Sequence, residues 1–331
     1  MSPSSALRER VDPEALVALD DFLRRTGPGG LGAIADLAAR RERADEVLRS
    51  LVAEHPPSDA VVAHDRDAPG PQGEPAVPVR IYRPRAAQGA RPGLLFIHGG
   101  GMIMGSLDSE DLLARELTDA LGCTTVSVGY RLAPEHPHPA PVEDCYAALR
   151  WTADNAEEVG VDRDRIALFG PSGGGGLAAG TALIARDRGG PPLVLQALIY
   201  PMLDDRNDRP SSHEIRDLGI WDRAANEEAW RMLLGDRRGR DDVPPYAAPS
   251  RATDLADLPP TYLDVGELDL FRDEDIDYAA RLMRAGVPTE LHVDPGAYHA
   301  AELLAPESAL GARIIGRRLD ALRRAFSESA R

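Results

Sequence analysis

Ser172 and His299, with a carboxylate from the acidic segment 264–273, are the side chains whose types and order could carry nucleophilic chemistry in this 331-residue chain. A serine hydroxyl is a weak nucleophile until a neighbouring base takes its proton and a third group holds that base. Ser172 stands in Gly170-Pro171-Ser172-Gly173-Gly174, behind the apolar run 166–169 and ahead of small helix-compatible residues that continue to Ala182. That order is strand, sharp turn and helix, the arrangement of a nucleophile elbow. Gly170 and Gly174 remove the side chains that would clash where the turn brings backbone together. The helix behind Ser172 would aim its N–H groups at the anion formed during attack. Four consecutive glycines also suggest a phosphate-binding loop, but that motif needs a Gly-Lys-Ser/Thr ending. All 38 Lys+Arg residues are arginines, which removes that loop along with Ser-x-x-Lys acylases and Schiff-base lysines. If Ser172 is a nucleophile, its base is a histidine.

A second glycine cluster, His98-Gly99-Gly100-Gly101-Met102-Ile103-Met104-Gly105-Ser106, follows the apolar run 93–97. Glycines at the C-terminal end of a strand let bare N–H groups approach a ligand, and one such donor aimed at a developing oxyanion is worth roughly 3–4 kcal/mol. With the N–H of Gly173, the donors would be those of Gly100 and Gly101. His98 is read as structural, hydrogen bonding inside its own loop.

Positioning these groups takes a framework. Residues 77–82, 93–97, 124–128, 166–169, 194–200, 261–265 and 290–293 read as strands, and helical patterns fall at 109–121, 142–155, 174–188, 273–285 and 302–326. The alternation predicts a mostly parallel sheet covered on both faces. Residues 11–55 read as helices. Asp12 is placed to cap and Pro13 to open the first, Leu16, Leu19, Phe22 and Leu23 form its apolar face, and Gly27-Pro28-Gly29-Gly30 breaks it before a second stretch at 34–52. Residues 56–75, rich in Pro, Gly and Asp, read as loop. Residues 204–242 carry no clear strand, hold Trp221 and Trp230, and read as an inserted lid. The resulting organisation is an N-terminal helical cap segment (1–55), a first part of the core (56–203), a cap insertion (204–242) and a second part of the core (243–331).

The balance of 38 basic against 54 acidic residues gives −16, which disfavours nucleic acid or an anionic membrane as partner. Cys123 and Cys145 are too few for a disulfide framework, lack metal-ligand spacing and read as reduced core residues. The first ten residues lack the apolar core of a signal peptide and no run is long enough to span a bilayer, so a cytoplasmic location is expected. No cofactor and no metal are implied. Glu135, His136 and His138 imitate a metal cluster, but they fall in a proline-rich segment and read as structural.

His98-Gly99-Gly100-Gly101, then Tyr130-Arg131-Leu132-Ala133-Pro134-Glu135-His136 with Pro139-Ala140-Pro141-Val142-Glu143-Asp144, then the elbow, together resemble one family. It is the hormone-sensitive-lipase-like branch of the α/β-hydrolase fold, the bacterial family IV esterases, and the likeness runs from about Val77 onward. The resemblance implies an α/β fold with a mostly parallel central sheet flanked by helices, and a helical cap built from the N-terminal helices and the insertion. It implies a Ser-His-Asp carboxylesterase acting on a small-molecule ester, a homodimer formed through the last strand and helix, and a purely supporting role for residues 130–135. It also implies the chain order nucleophile, acid, histidine. Of the histidines after Ser172, His213 lies in the lid and His292 alternates inside a strand. His299, in a turn-rich segment before the last helix, matches the family's position. The family pattern puts the acid at Asp269, where it would accept the Nδ1–H of His299. Glu267, in the same loop, is the competitor, ahead of Asp264 and Asp273.

Three positions depart from the family. Pro171 stands where Asp or Thr is usual, Gly173 where Ala is usual, and Ala300-Ala301-Glu302 where Gly-Phe is common. The expected function is hydrolysis of small or short-acyl esters. The alternatives are an amidase or lactone hydrolase with the same triad, and a non-catalytic ligand-binding protein on the same scaffold. Retention of Ser172, His299 and a candidate acid argues for an enzyme.

Overall fold

The computed structural model describes residues 3–27, 29–54, 59–216, 218 and 220–327. Pro28, residues 55–58 at the expected cap boundary, Asp217 and Gly219 of the insertion, and both chain ends lie outside the described residues. Among the described residues, three α-helices precede the sheet: α1 (Pro3–Arg8), α2 (Pro13–Thr26) and α3 (Leu37–Glu54). Asp12 caps α2 as its sequence predicts, its Oδ1 accepting from the N–H groups of Glu14 at 3.0 Å and Ala15 at 3.2 Å. Leu19 of the apolar face is fully buried.

The sheet has eight strands: β1 (Val61–Ala68), β2 (Val77–Pro84), β3 (Arg91–Ile97), β4 (Thr124–Val128), β5 (Val161–Pro171), β6 (Leu195–Ile199), β7 (Thr261–Leu268) and β8 (Thr289–Tyr298). Their spatial order is β1-β2-β4-β3-β5-β6-β7-β8. Only the β1/β2 and β2/β4 pairs are antiparallel, and the remaining pairs are parallel. The central strands are buried almost without a break because both faces are covered, so burial does not alternate along them even where Thr, Ser or Gln interrupts the apolar residues. The remaining helices are α4 (Asp111–Leu121), α5 (Ala140–Asp154), α6 (Ala156–Val159), α7 (Gly173–Asp187), α8 (Pro210–Glu214), α9 (Arg223–Leu234), α10 (Arg272–Arg284), α11 (Ala301–Leu304) and α12 (Ala309–Ser327). No helix among the described residues is long and apolar enough to cross a membrane.

Two expectations need correction. Residues 56–75 are not all loop, since Val61–Ala68 pairs antiparallel with β2. This edge strand buries its ends and exposes residues 64–67, so it has no alternation to read. The helix expected over 302–326 is two. Pro306 lacks the N–H a continuous helix needs, and Ser308 restarts the chain by accepting from the Gly311 N–H at 2.9 Å.

Residues 204–242 contain α8 and α9 and, among the described residues, no strand. Ser211 ties α8 to α10, its N–H donating to Asp273 at 2.8 Å and its hydroxyl to the Leu270 carbonyl at 2.7 Å. Arg40 of α3 pairs with Glu228 of α9 at 2.6 Å, so the N-terminal helices and the insertion meet. The C-terminal ends of β3, β5, β6, β7 and β8 all open on one edge of the sheet, where ligands bind in open α/β sheets.

Candidate active site

Ser172, between β5 and α7, has φ +55° and ψ −121°. A serine at positive φ is strained by about 1–3 kcal/mol, and the surroundings must enforce it. The Ser172 N–H donates to the Ile199 carbonyl at 2.8 Å, and its own carbonyl accepts from Met202 at 3.0 Å and Gly176 at 3.1 Å. A Cβ on Gly170 would lie 2.3 Å from the Gly174 oxygen, and one on Gly174 would lie 2.1 Å from the Ile97 oxygen. Both glycines are therefore demanded by close backbone approach.

His299 follows β8, and its Nε2 lies 3.0 Å from Ser172 Oγ. Its Nδ1–H points at Asp269 Oδ2, 2.7 Å away in the turn after β7. Asp269 is fully buried, and its Oδ1 accepts from the Phe271 N–H at 3.0 Å. The edges of Tyr200 and Phe271 meet the imidazole at centroid distances of 4.7 and 5.4 Å. The other carboxylates of the segment are engaged elsewhere. Glu267 pairs with Arg10 at 2.7 Å and accepts from the Gly296 N–H, Asp264 pairs with Arg318, and Asp273 accepts from Ser211. His292 faces Glu290, and His213 is exposed on α8.

Gly100 and Gly101 have φ of +99° and +61°, left-handed values that bare their N–H groups. A Cβ on Gly173 would lie 2.8 Å from the nitrogens of both Gly101 and Met102, so this loop and the start of α7 converge beside Ser172. Among the described residues, the N–H groups of Gly100, Gly101 and Gly173 donate no hydrogen bond.

The loop is braced from several sides. The His98 ring stacks on Tyr130 at 4.1 Å and its Nδ1–H donates to the Gly99 carbonyl. Tyr130 donates to the His98 carbonyl at 2.9 Å, and the Ala133 N–H to the Met102 carbonyl at 3.0 Å. Burial pushes His98 down to about 4, so the ring is neutral at ordinary pH. Of three further braces, Glu110 and Arg41 carry no sequence signal and Trp221 reads only as part of the lid. Glu110 accepts the Gly99 N–H at 2.8 Å, and burial pushes its carboxyl up to about 7 against that bond. Arg41 of α3 donates to the Ile103 carbonyl at 2.7 Å while forking onto Glu135. Trp221 of the insertion lies over Gly101, where a Cβ would meet its ring at 2.4 Å, and its N–H donates to Asn226.

The arrangement can deliver a proton-stripped serine oxygen to an electrophilic carbon and hold the resulting anion on three backbone donors.

A family model described as the alpha/beta hydrolase fold matches residues 94–303. The chain is 37% identical over 329 residues to the carboxylesterase NlhH of Mycobacterium tuberculosis, covering 98% of this chain and 99% of that one. It is 35% identical over 228 residues to the ethyl acetate hydrolase of Pseudomonas putida, covering 67% of this chain and 70% of that one. Among solved structures, a bacterial heroin esterase superposes with a TM-score of 0.89 at 42% identity, covering 96% of this chain and 98% of the other.

Proposed function

The chain belongs to the hormone-sensitive-lipase-like family of α/β-hydrolases and is a carboxylic ester hydrolase, and on that premise we propose that Ser172, His299 and Asp269 perform its chemistry on small or short-acyl esters. The observation that carries the proposal is the continuous relay from Ser172 Oγ to His299 Nε2 at 3.0 Å and from His299 Nδ1 to Asp269 Oδ2 at 2.7 Å, each residue on a different strand end. Asp269 accepts the Nδ1–H, which leaves the Nε2 lone pair free for the serine proton. As that proton moves, Oγ attacks the ester carbonyl, and the tetrahedral oxyanion takes hydrogen bonds from Gly100, Gly101 and Gly173. His299 returns the proton to the departing alcohol. A water deprotonated by the same imidazole then hydrolyses the acyl-enzyme.

The preference for small substrates rests on Trp221, whose ring fills the space over Gly101. The ethyl acetate hydrolase of Pseudomonas putida supports the same end of the size range. The N-terminal helices and the insertion act as one cap, consistent with the Arg40 to Glu228 pair between them. The unpaired outer edge of β8, where Val293 is 38% exposed, supports a homodimer through the last strand, and the two buried unpaired cysteines support a cytoplasmic setting.

Hydrolysis of p-nitrophenyl esters of increasing acyl length, by the wild type and by Ser172→Ala, tests the proposal. The wild type is expected to cleave the shortest esters fastest, and the variant to lose at least about 10⁴ in kcat. Equal rates for the two proteins would remove Ser172 from the mechanism.

A further inference from the structure

His299 touches a buried ionic chain that the triad does not use. Tyr200, at the end of β6, lays its ring against the imidazole at 4.7 Å, and its hydroxyl donates to Glu302 Oε1 at 2.8 Å. The same oxygen accepts from Arg318 Nη1 at 2.6 Å. Arg318, on α12, forks onto Asp264 at 2.6 and 3.0 Å, and its guanidinium also lies over the Tyr200 ring at 5.4 Å. Asp264, in the middle of β7, accepts in addition from the Tyr262 hydroxyl at 3.0 Å. Glu302 is 2% exposed, Asp264 1% and Arg318 7%.

Such a chain is expensive to bury, because each ion gives up its hydration and removing one partner leaves another uncompensated. Backbone strain is added to that cost. Tyr200 has φ +35°, outside the range a tyrosine adopts freely, and is held there in part by its N–H bond to the Asp264 carbonyl at 2.7 Å. The ring that meets the imidazole is thus fixed at both ends, by its backbone on β7 and by its hydroxyl on Glu302. Glu302 sits three residues after His299, within the segment where the sequence leaves the family pattern.

We propose that Tyr200 and Glu302, anchored through Arg318 to Asp264, are positioning residues that set the tilt of the His299 ring and stabilise its imidazolium form during ester hydrolysis. The inference rests on His299 being the base. The groups facing His299 have distinct parts in its charge balance. Asp269, from the turn after β7, binds it directly. Glu302 and Asp264 bring two carboxyls against the single guanidinium of Arg318, and burial pushes Asp264 up while Arg318 opposes it. Glu274 and Asp275, on α10 behind Asp269, are pushed well above the usual carboxylate range by burial. Ser172 and the Tyr200 phenol are neutral, burial raising the latter.

His299 works as a base only when neutral, so its ionisation sets the rise of kcat/KM with pH. Removing the negative charge of Glu302 disfavours the imidazolium and moves that rise to lower pH.

The test compares kcat, KM and the pH profile of p-nitrophenyl acetate hydrolysis, from about pH 5 to 9, for the wild type, Tyr200→Phe, Glu302→Gln and Glu302→Asp. Active sites are counted by the burst of p-nitrophenol. Glu302→Gln is expected to lower kcat per active site roughly 10-fold, within the 10²-fold that a group misplaced by about 1 Å can cost. Its rise should move to lower pH by about 0.5–1 unit. Tyr200→Phe, which keeps the ring and loses one oxygen, should lower kcat less, leave KM unchanged and be folded at every pH tested. Glu302→Asp, which keeps the charge, should restore the wild-type pH profile.

Loss of folded protein without a shift in the pH profile of the remaining active sites would make the chain merely structural and overturn the inference. So would wild-type kcat and profile in both Glu302→Gln and Tyr200→Phe. If Ser172→Ala and the wild type hydrolyse the ester equally, the catalytic reading itself has failed. If Ser172→Ala is inactive and the Glu302 variants are normal, only this inference has.

Discussion

Ser172 is held by backbone and by missing side chains, whereas His299 is held by charged ones. Around the serine, Gly170 and Gly174 leave less than 2.5 Å between the neighbouring carbonyl oxygens and any Cβ, the helix behind begins with four glycines, and His98 is neutral. Around the histidine stand Asp269, Glu302, Arg318 and Asp264, almost wholly buried and bound to one another or to the ring. The contrast fits the parts proposed for the two groups, Ser172 as nucleophile and His299 as base. The nucleophile has to be exposed on a sharp turn in one place, which steric exclusion can enforce without bringing charge near a developing oxyanion. The base must change charge during the reaction, and only charges and dipoles respond to that. One side should therefore be sensitive to volume at constant charge, and the other to charge at constant volume.

The largest effect belongs to the charge test. Asp269→Asn conserves volume, removes the anion and lets His299 adopt the wrong tautomer, which costs a Ser-His-Asp triad about 10⁴ in kcat. Glu267→Gln, in the same loop, should leave kcat within about 3-fold, because Glu267 faces Arg10 and the Gly296 N–H and its loss is that of an exposed ion pair. Rates on p-nitrophenyl acetate decide between them. If Glu267→Gln were the more damaging, the assignment of the acid would be reversed.

Next comes the volume test. Gly174→Ala adds one methyl group 2.1 Å from the Ile97 oxygen and 2.5 Å from the His98 oxygen, and neither backbone atom can swing away. The cost should reach or exceed the top of the usual 1–3 kcal/mol for overpacking, read from urea unfolding. Surviving activity should fall as well, since the shifted atoms carry the oxyanion loop. Wild-type stability in this variant would mean that the elbow has slack, and the contrast between the two sides would weaken.

The sequence reads well where a feature is local. The elbow, the glycine triplet and the buried parallel strands are contiguous patterns, and Gly100, Gly170 and Gly174 each report a nearby backbone. Asp269 and Glu267 are harder to separate, because two carboxylates in one loop carry the same signal. Only the family pattern distinguishes them, and the geometry that brings Asp269 rather than Glu267 to the imidazole depends on how β7 ends. The brace behind His299 is less legible still. Tyr200, Asp264, Glu302 and Arg318 are scattered over more than a hundred residues, and each alone looks like an ordinary polar position. Only the departure at Ala300-Ala301-Glu302 hinted that something there was particular to this chain. β1 escaped because an exposed edge strand has no buried face to impose a period. Arg41 escaped because a long charged side chain on a helix normally points into water, and here it reaches a loop carbonyl 62 residues away.

The smallest effect probes the carboxyl that the nucleophile side does carry. Glu110 is half-buried, its Oε1 takes the Gly99 N–H, and its enclosed Oε2 has no partner among the described residues. Burial raises this carboxyl from an ordinary value of 4.5 to about 7. Below the unfolded value, both folded and unfolded chains hold the proton and the position costs nothing. As pH climbs through the interval up to about 7, the unfolded chain releases the proton first, so stability falls across that window and then levels off. Glu110→Gln keeps the acceptor for Gly99 and removes the charge. Its melting temperature should match the wild type near pH 4.5 and exceed it increasingly toward pH 8, by about 2–4 °C for each kcal/mol relieved. Activity at pH 6 should stay within about 2-fold, because the loop keeps its hydrogen bond. A melting difference that does not change with pH would mean that Glu110 is solvated as an ordinary surface carboxylate. The nucleophile side would then be free of any charge worth removing, and volume alone would govern it.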